Sequence, residues 1–493
     1  MEDINDEKTQ QIGYILSLLG KRKKEPIFNT VLVDRDYQLE NLLTMMNFKD
    51  SPYNIDNDSD LFTKTLTDQR EVENSVIKIY KEFLNSSSDN YESGNGSGSG
   101  SESEGENGIG NLKKSLHLKF LKNALKPLNP AFTKLDASQT WIVFWIVNSL
   151  LLLDQDYLVK NPELNEQICL KIGFIVDYNK ESKSEKEYQG IGGGVGQLGH
   201  IASTYAAIMS LSFTKRYDVW ERIPRKSIYD WMLNELKQKD GSFVMSRNGE
   251  KDVRAVYCAL TVGSVLNILS KKLVENTAKW IQSCQTYEGG FGGCPDNEAH
   301  GGYTYCAVAS LCLLGDPKDM LNKYCNLDAL VRWIVSRQYN IEGGLSGRTN
   351  KLVDSCYSHW VGSLAPFIEI AIEWKTIMSR NCLQNYILLC CQNRRYGGLR
   401  DKPLTNPDYY HTNYALCGLS VCQNVYSFNY KKFEESGRDF RAVGYCYEAS
   451  GIEASDVVER FQENSVSEIH PVFGTVNGYA QEMYEFFCGV EIK

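Results

Sequence analysis

Gly289-Gly290-Phe291, Gly343-Gly344-Leu345 and Gly397-Gly398-Leu399 are three copies of one turn, and Gly190-Ile191 and Gly241-Ser242-Phe243 extend the series to five. Measured at the apolar residue, successive copies are 52, 48, 54 and 54 residues apart. A near-constant period of this length marks a repeat architecture. Four of the turns follow a segment of helical pattern that carries an aromatic, Trp231, Trp280, Trp333 or Tyr386, and three of those segments end on Gln285, Gln338 and Gln392. After each turn comes a second apolar segment, for example Thr304-Tyr305-Cys306-Ala307-Val308-Ala309. Apolar positions recur at three and four residues rather than two, so each unit predicts a helix, a glycine-rich loop and a second helix, with no strands. Five or six such hairpins can stack as an open solenoid or close on themselves. Closure removes both exposed ends, and few apolar residues are left over for capping. An all-α chain closed into an α/α toroid is therefore expected.

Outward from the repeat the chain changes character. Residues up to about Asp60 are polar and Asn/Asp-rich, followed by a short amphipathic helix near 68–85 with Val72, Val76, Ile79, Tyr80 and Phe83 on one face. Residues 86–111 form a Ser/Gly/Glu/Asn tract with almost nothing to bury, expected to be disordered. The repeats occupy 112–493, so the expected organisation is an N-terminal extension (1–85), a Ser/Gly-rich insert (86–111) and one globular barrel. Across the 493 residues, 42% hydrophobic and 23% charged content is ordinary for a globular protein. A net charge of -9 argues against nucleic acid as a partner, though not against a local basic pocket. The acidic N-terminus lacks the basic-then-apolar order of a secretory signal. The most apolar stretch, Trp141 to Leu153, is too short to span a bilayer and reads as a core helix. Fifteen cysteines without a signal are core thiols rather than a disulfide framework, and a reducing, cytoplasmic location is expected.

Cys356 lies 12 residues after Gly344 and His411 lies 13 after Gly398, so the repeat places both at equivalent helix starts in adjacent units. With Asp354, two residues before Cys356, they make one thiolate, one imidazole and one carboxylate, a set suited to zinc with a fourth position open. A lone Asp-x-Cys among fifteen cysteines has a chance explanation, and the paired register is what lifts it. The same helix starts collect cations and donors: His300 in Glu298–Tyr303, Arg254 after Asp252, and Arg348, Lys351 and Tyr357 around the metal candidates. Convergent helix N-termini with these groups suit a polyanion such as a diphosphate. The aromatics Trp141, Trp145, Tyr205, Tyr257, Trp360 and Tyr414 either fill a core or line an apolar funnel.

The run from Arg337-Gln338 through Glu342-Gly343-Gly344 to Gly347-Arg348-Thr349-Asn350-Lys351-Leu352-Val353-Asp354-Ser355-Cys356-Tyr357-Ser358 resembles the zinc segment of protein prenyltransferase β subunits. Asn385–Gln392 agrees with it. Gly397-Gly398-Leu399-Arg400-Asp401-Lys402-Pro403 with Asp408-Tyr409-Tyr410-His411-Thr412 is similar to the farnesyl-transferring branch, as are Leu135–Ser138 and His470-Pro471-Val472. The resemblance implies a closed α6–α6 barrel of prenyltransferase helical-hairpin repeats, paired with an α subunit in a heterodimer. It implies zinc on Asp354, Cys356 and His411, magnesium recruited to the diphosphate by Asp401, and diphosphate contacts from His300, Arg348, Lys351 and Tyr357. Substrate would lie against Trp141, Trp145, Tyr205, Arg254, Tyr257, Gly302, Cys306, Trp360, Tyr410 and Tyr414. The implied reaction moves a farnesyl group from farnesyl diphosphate to the cysteine of a C-terminal CaaX motif in proteins such as small GTPases. A geranylgeranyltransferase type I β subunit is the alternative, and bulky Trp141 and Tyr414, with Asp401, weigh against it. A triterpene cyclase would need an Asp-x-Asp-Asp motif, which this chain lacks. Three departures stand out: His359 where an aromatic is usual, Asn413 where a small residue is usual, and Pro407 before Asp408.

Overall fold

The computed structural model describes residues 63–92, 110–125, 130–181, 190–374, 376–452 and 461–492. Most of the N-terminal extension, and the tract from 93 to 109, lie outside the described residues. The Ser/Gly insert proves shorter at both ends than expected. Helix α1 spans Lys64–Glu92, running past residue 85, and Asn111 and Leu112 are buried.

The repeats alternate outer and inner helices. The outer set comprises α2 (Lys114–Ala124), α4 (Pro162–Glu181), α6 (Arg225–Trp231), α8 (Thr277–Ser283), α10 (Leu327–Val335) and α13 (Arg380–Asn385). Helices α6 and α13 each end in a π turn, Met232–Leu236 and Tyr386–Cys391. Inside them lie α3 (Gln139–Leu153), α5 (Ile201–Ser212), α7 (Val253–Val265), α9 (Gly301–Cys312), the broken pair α11 (Tyr357–Trp360) and α12 (Leu364–Ile372), and α14 (Tyr409–Gln423). Each inner helix packs on the next, and α14 packs back on α3, which closes a ring of six. The inner helices are apolar nearly all round because they face both the ring and the outer layer.

The recurring glutamine explains how one unit is joined to the next. Gln338 donates to the carbonyls of Gly343 (2.9 Å) and Ser379 (2.9 Å) and accepts from Ser379 N (2.9 Å), so its amide ties its own turn to the cap of the following outer helix. Gln285 does the same with Gly289 and Asn326. Gln392 has no following unit and instead accepts from Lys113 N (2.9 Å), at the start of α2, and bonds His117 and Asn111. The last repeat thus grips the first, and the solenoid becomes a ring. The glycines are needed because the turns abut that neighbouring helix. At Gly289 (φ +105°) a Cβ would lie 2.0 Å from the Ala329 carbonyl, and at Gly397 (φ +80°) 2.2 Å from that of Leu116.

Contrary to the strand-free expectation, four short strands among the described residues pair two by two: β1 (Asn424–Phe428) with β2 (Tyr447–Gly451), and β3 (Ile469–His470) with β4 (Thr475–Val476). Strand β1 continues directly from α14, so its apolar residues merge with the helical pattern, and two-residue strands carry no period at all. The stretch Phe132–Leu153 is long and apolar enough by length and composition to cross a membrane. Its first part is irregular, with Leu135 outside helical geometry, and eleven of the fifteen residues of α3 are buried between α5 and α14. It serves here as a core helix. All fifteen cysteines are free thiols, most of them buried.

Candidate active site

Every inner helix begins on the same rim of the ring, and its first turn leaves backbone N–H groups to satisfy. Polar side chains do so at equivalent places. The His200 imidazole accepts from Ala202 N, Asp252 from Arg254 N (2.8 Å), His300 from Gly302 N (3.0 Å), Asp354 from Cys356 N (2.8 Å) and Asp408 from His411 N (2.7 Å). A demand for helix caps therefore sets a circle of carboxylates and imidazoles around one mouth.

The donor atoms of Asp354, Cys356 and His411 all lie within 4.8 Å of one another. His411 Nε2 is 3.3 Å from an Asp354 oxygen, while its Nδ1–H donates to Asp408 at 2.7 Å. Asp408 thus fixes the ring orientation and leaves Nε2 toward the cluster, as partners of metal-ligating histidines do. Burial opposes protonation of His411, yet the two carboxylates outweigh it and push its pKa up to about 10. Burial also opposes ionisation of Asp354, but its bond to His411 holds the carboxyl below its usual range. Cys356 is buried, and burial with the nearby Asp354 charge raises its thiol. One carboxylate, one thiol and one imidazole with their donor atoms turned on one point make a set that a divalent cation satisfies better than a shared proton, so the residues fit zinc.

Beside the metal candidates, His300 Nε2 and the Tyr357 hydroxyl are 3.0 Å apart. His300 Nδ1 accepts from Gly302, so Nε2 carries the proton and donates to Tyr357. The phenol proton is then free to point outward. Burial, followed by the charge of Arg348, pushes the His300 pKa down to about 4, which keeps the ring neutral. Tyr357 reaches this place only because Gly347 lacks a side chain, since a Cβ there would meet the phenol ring at 1.9 Å. Arg348 pairs with Glu298 at 3.0 Å, and Arg254 pairs with Asp252 at 2.7 Å while lying over Tyr303. Lys351 is exposed, and its ammonium forms no ion pair among the described residues. Asp401 lies behind the loop that carries Asp354 and Cys356. Its carboxylate is taken by Lys402 and Thr405, while its carbonyl accepts from Ser355 N at 2.8 Å, directly behind the metal loop.

Below the rim the aromatics form a circuit with one or two from each inner helix. Trp141 stacks near Trp145 (5.6 Å) and Tyr205 (5.6 Å), Tyr205 meets Tyr257 (5.7 Å), and Tyr257 meets Tyr305 (5.6 Å). Tyr305 meets Trp360 (5.5 Å), Trp360 meets Tyr414 (4.4 Å), and Tyr410 closes the circuit on Trp145 (5.5 Å). Cys306 is buried one position after Tyr305, and Gly302 lies at the rim on the same helix. The hydroxyls of Tyr205, Tyr257 and Tyr305 all donate downward, to the carbonyls of Phe473 (2.9 Å), Val472 (2.9 Å) and Pro471 (2.7 Å). The segment joining β3 to β4 therefore floors the funnel. Trp360 Nε1 donates to the Tyr410 hydroxyl at 2.9 Å, linking the wall to the residue before His411. His359 points away from the metal cluster, as its helical offset predicts, and bonds Ser363 (2.9 Å) beneath Tyr305. Asn413 accepts from Asn148 at 2.9 Å.

Sequence reasoning missed Asp408 and Tyr305 as site residues. An Asp three residues before a candidate His ligand at a helix start was the available signal for Asp408. Tyr305 occupies the same place after its turn as Tyr205 and Tyr257 do after theirs, and the repeat alignment would have found it.

The sequence profile of the prenyltransferase alpha-alpha toroid domain matches residues 112–475. The protein farnesyltransferase β subunit of Schizosaccharomyces pombe is 38% identical over 391 residues, covering 77% of this chain and 91% of that protein. The corresponding subunit of Pyricularia oryzae is 38% identical over 343 residues, 64% of each chain, so the alignment spans just under two thirds of that relative's length. A solved structure, Candida albicans protein geranylgeranyltransferase-I complexed with GGPP, superposes with a TM-score of 0.56 at 22% identity, over 78% of this chain and all of that one, and shows the fold. The chain belongs to the prenyltransferase alpha-alpha toroid family, among the protein farnesyltransferase β subunits.

Proposed function

We propose that this chain is the β subunit of a cytoplasmic, heterodimeric protein farnesyltransferase, joining the farnesyl group of farnesyl diphosphate to the cysteine of a CaaX protein. The observation that carries the reading is the Asp354–Cys356–His411 cluster at the mouth of an aromatic funnel, next to the His300–Tyr357 pair. Zinc held by those three residues would supply Lewis-acid activation, keeping a substrate thiol as thiolate at neutral pH.

The chain's own residues account for the rest. The aromatic circuit offers π faces, and the hydroxyls of Tyr205, Tyr257 and Tyr305 are turned down to the floor, which suits a polyisoprenoid chain. Neutral His300 orients the Tyr357 hydroxyl as a donor toward charge growing on a departing phosphate oxygen, a contribution worth about 10²–10³ in rate. Arg348 and Lys351, on the same loop, add positive charge. Magnesium with the diphosphate is part of the proposal through Asp401, and it requires that carboxylate to leave Lys402.

The geranylgeranyl alternative shares fold and metal set, and its discriminating feature is the bulk of Trp141 and Tyr414 in the wall. Co-expression with a prenyltransferase α subunit, metal analysis, and transfer assays with farnesyl and geranylgeranyl diphosphate on one CaaX peptide test the reading. Transfer of farnesyl by a zinc-containing heterodimer supports it. A complex without zinc, or one that prefers the longer diphosphate, overturns the metal site or the branch respectively.

A further inference from the structure

Helix α1 is mostly polar, with one apolar stripe of Val72, Val76 and Tyr80, all buried. The stripe packs into a small core separate from the main one, against Val353, Tyr386 and Cys390. Val353 immediately precedes the candidate ligand Asp354. The Tyr386 hydroxyl donates to the Asp401 carbonyl at 3.0 Å, and that same carbonyl accepts from N–H of Ser355, which lies between the two ligands of the loop. On its other flank α1 is stitched to the turn leading into the loop. Tyr80 donates to the Glu342 carbonyl at 2.6 Å and Gln69 to the Glu342 carboxyl at 2.7 Å. The far side of that turn, Leu345, accepts from Asp354 N at 3.1 Å, and Ser346 bridges to Val353.

We propose that α1 is a strap that positions the metal loop, with Val76 and Tyr80 acting through Val353 and the Glu342 turn to hold Asp354 and Cys356 in their ligating places. The idea rests on the zinc reading of that site. With the strap loosened, the small core is open on one side and Val353 faces solvent. The loop can then move without any change in the ring, whose own core α1 does not enter. Supports of metal ligands commonly change metal retention by about 10–100-fold. Val76 and Tyr80 are therefore positioning residues, distinct from the ligands themselves.

The test uses the full chain with its α subunit and follows zinc release to a chromogenic chelator, together with the thermal midpoint. The Val76→Ala/Tyr80→Ala variant is expected to release zinc roughly 10-fold faster. Tyr80→Phe, which keeps the ring, should restore most of the retention. Leu260→Ala, a cavity in the main core on α7, serves as a control that lowers the thermal midpoint while leaving release unchanged. Equal release from wild type and the double variant overturns the strap, and so does a Leu260→Ala variant that loses zinc as fast. Absence of zinc from the wild-type complex instead refutes the metal site on which the strap depends.

Discussion

Replacing Glu342 by Gln should abolish a pH dependence in the docking of α1. The Glu342 side chain is 1% exposed, accepts from Gln69, and faces Glu73 from α1 and Tyr386 and Cys390 from the barrel. Burial first, and the Glu73 charge second, raise its pKa from 4.5 to about 7. The sign follows from proton counting. Between pH 4.5 and about 7 the docked state holds a proton that the undocked state has lost, so docking weakens as pH rises through that window and is flat above it. A shift of this size corresponds to a ceiling of about 3 kcal/mol. The amide of Glu342→Gln keeps an acceptor for Gln69 and carries no charge. The variant should match wild type only below the window, at about pH 4, and dock α1 more firmly, by up to about 3 kcal/mol, at pH 8. Hydrogen exchange of the α1 amides, corrected for intrinsic rates, reports the opening free energy directly. Wild-type protection that stays level from pH 5 to 8, or a variant whose profile runs parallel to wild type, would refute the reasoning.

Four further outcomes are expected. His411→Ala or Cys356→Ala should lose zinc by metal analysis of the purified heterodimer, and full retention in both removes this site from consideration. Tyr357→Phe should lower kcat by about 10²-fold with little change in KM for the diphosphate, because the lost donor matters where charge develops. Asp401→Lys should reduce the magnesium needed for half-maximal turnover, and an unchanged midpoint in a magnesium titration removes Asp401 from that role. Trp141→Thr should raise the ratio of kcat/KM for geranylgeranyl over farnesyl diphosphate, since discrimination against a longer chain that gains about 0.8 kcal/mol per buried carbon must be steric. An unchanged ratio places the length limit elsewhere, the Pro471–Phe473 floor being the next wall.

The ring and its metal cluster were legible because both depend on register. A turn repeated at 48 to 54 residues fixes which helix starts are neighbours, and Cys356 and His411 then meet without any knowledge of side-chain geometry. The α1 stripe was legible from spacing alone, although its docking partner was not, because Val353 and Tyr386 look like ordinary core residues. Asp401 shows the limit of motif reading. The resemblance marks it for magnesium, yet its carboxylate turns to Lys402 and Thr405, a choice settled by local hydrogen bonding that the motif does not encode. The strands β3 and β4 were invisible at two residues each, and the floor they carry became apparent only through the three tyrosine hydroxyls bound to it.

Why the metal candidates fall between the fourth and fifth units follows from how the inner helices begin. In α5, α7, α9 and α14 the residue at the cap spends its side chain on a backbone N–H. A group so committed is rigid but has one acceptor fewer for a ligand. In the fourth unit the inner helix is broken into α11 and α12, and the residue at its cap, Cys356, makes no side-chain capping bond. The capping work passes to Asp354, which accepts from Cys356 N with one oxygen, and the thiol is left free. In the fifth unit the cap is Asp408, which both accepts from His411 N and orients its ring, so His411 Nε2 is turned to the Asp354 carboxylate of the neighbouring unit. One unit yields a thiol and the next an imidazole that no helix cap uses, and ring geometry makes them neighbours. At the α9 cap the His300 imidazole is bound to its own helix through Nδ1, which leaves an N–H at Nε2 for Tyr357 rather than a lone pair for a cation. The candidate metal cluster thus takes its thiol and its imidazole from the two helix starts where another residue does the capping.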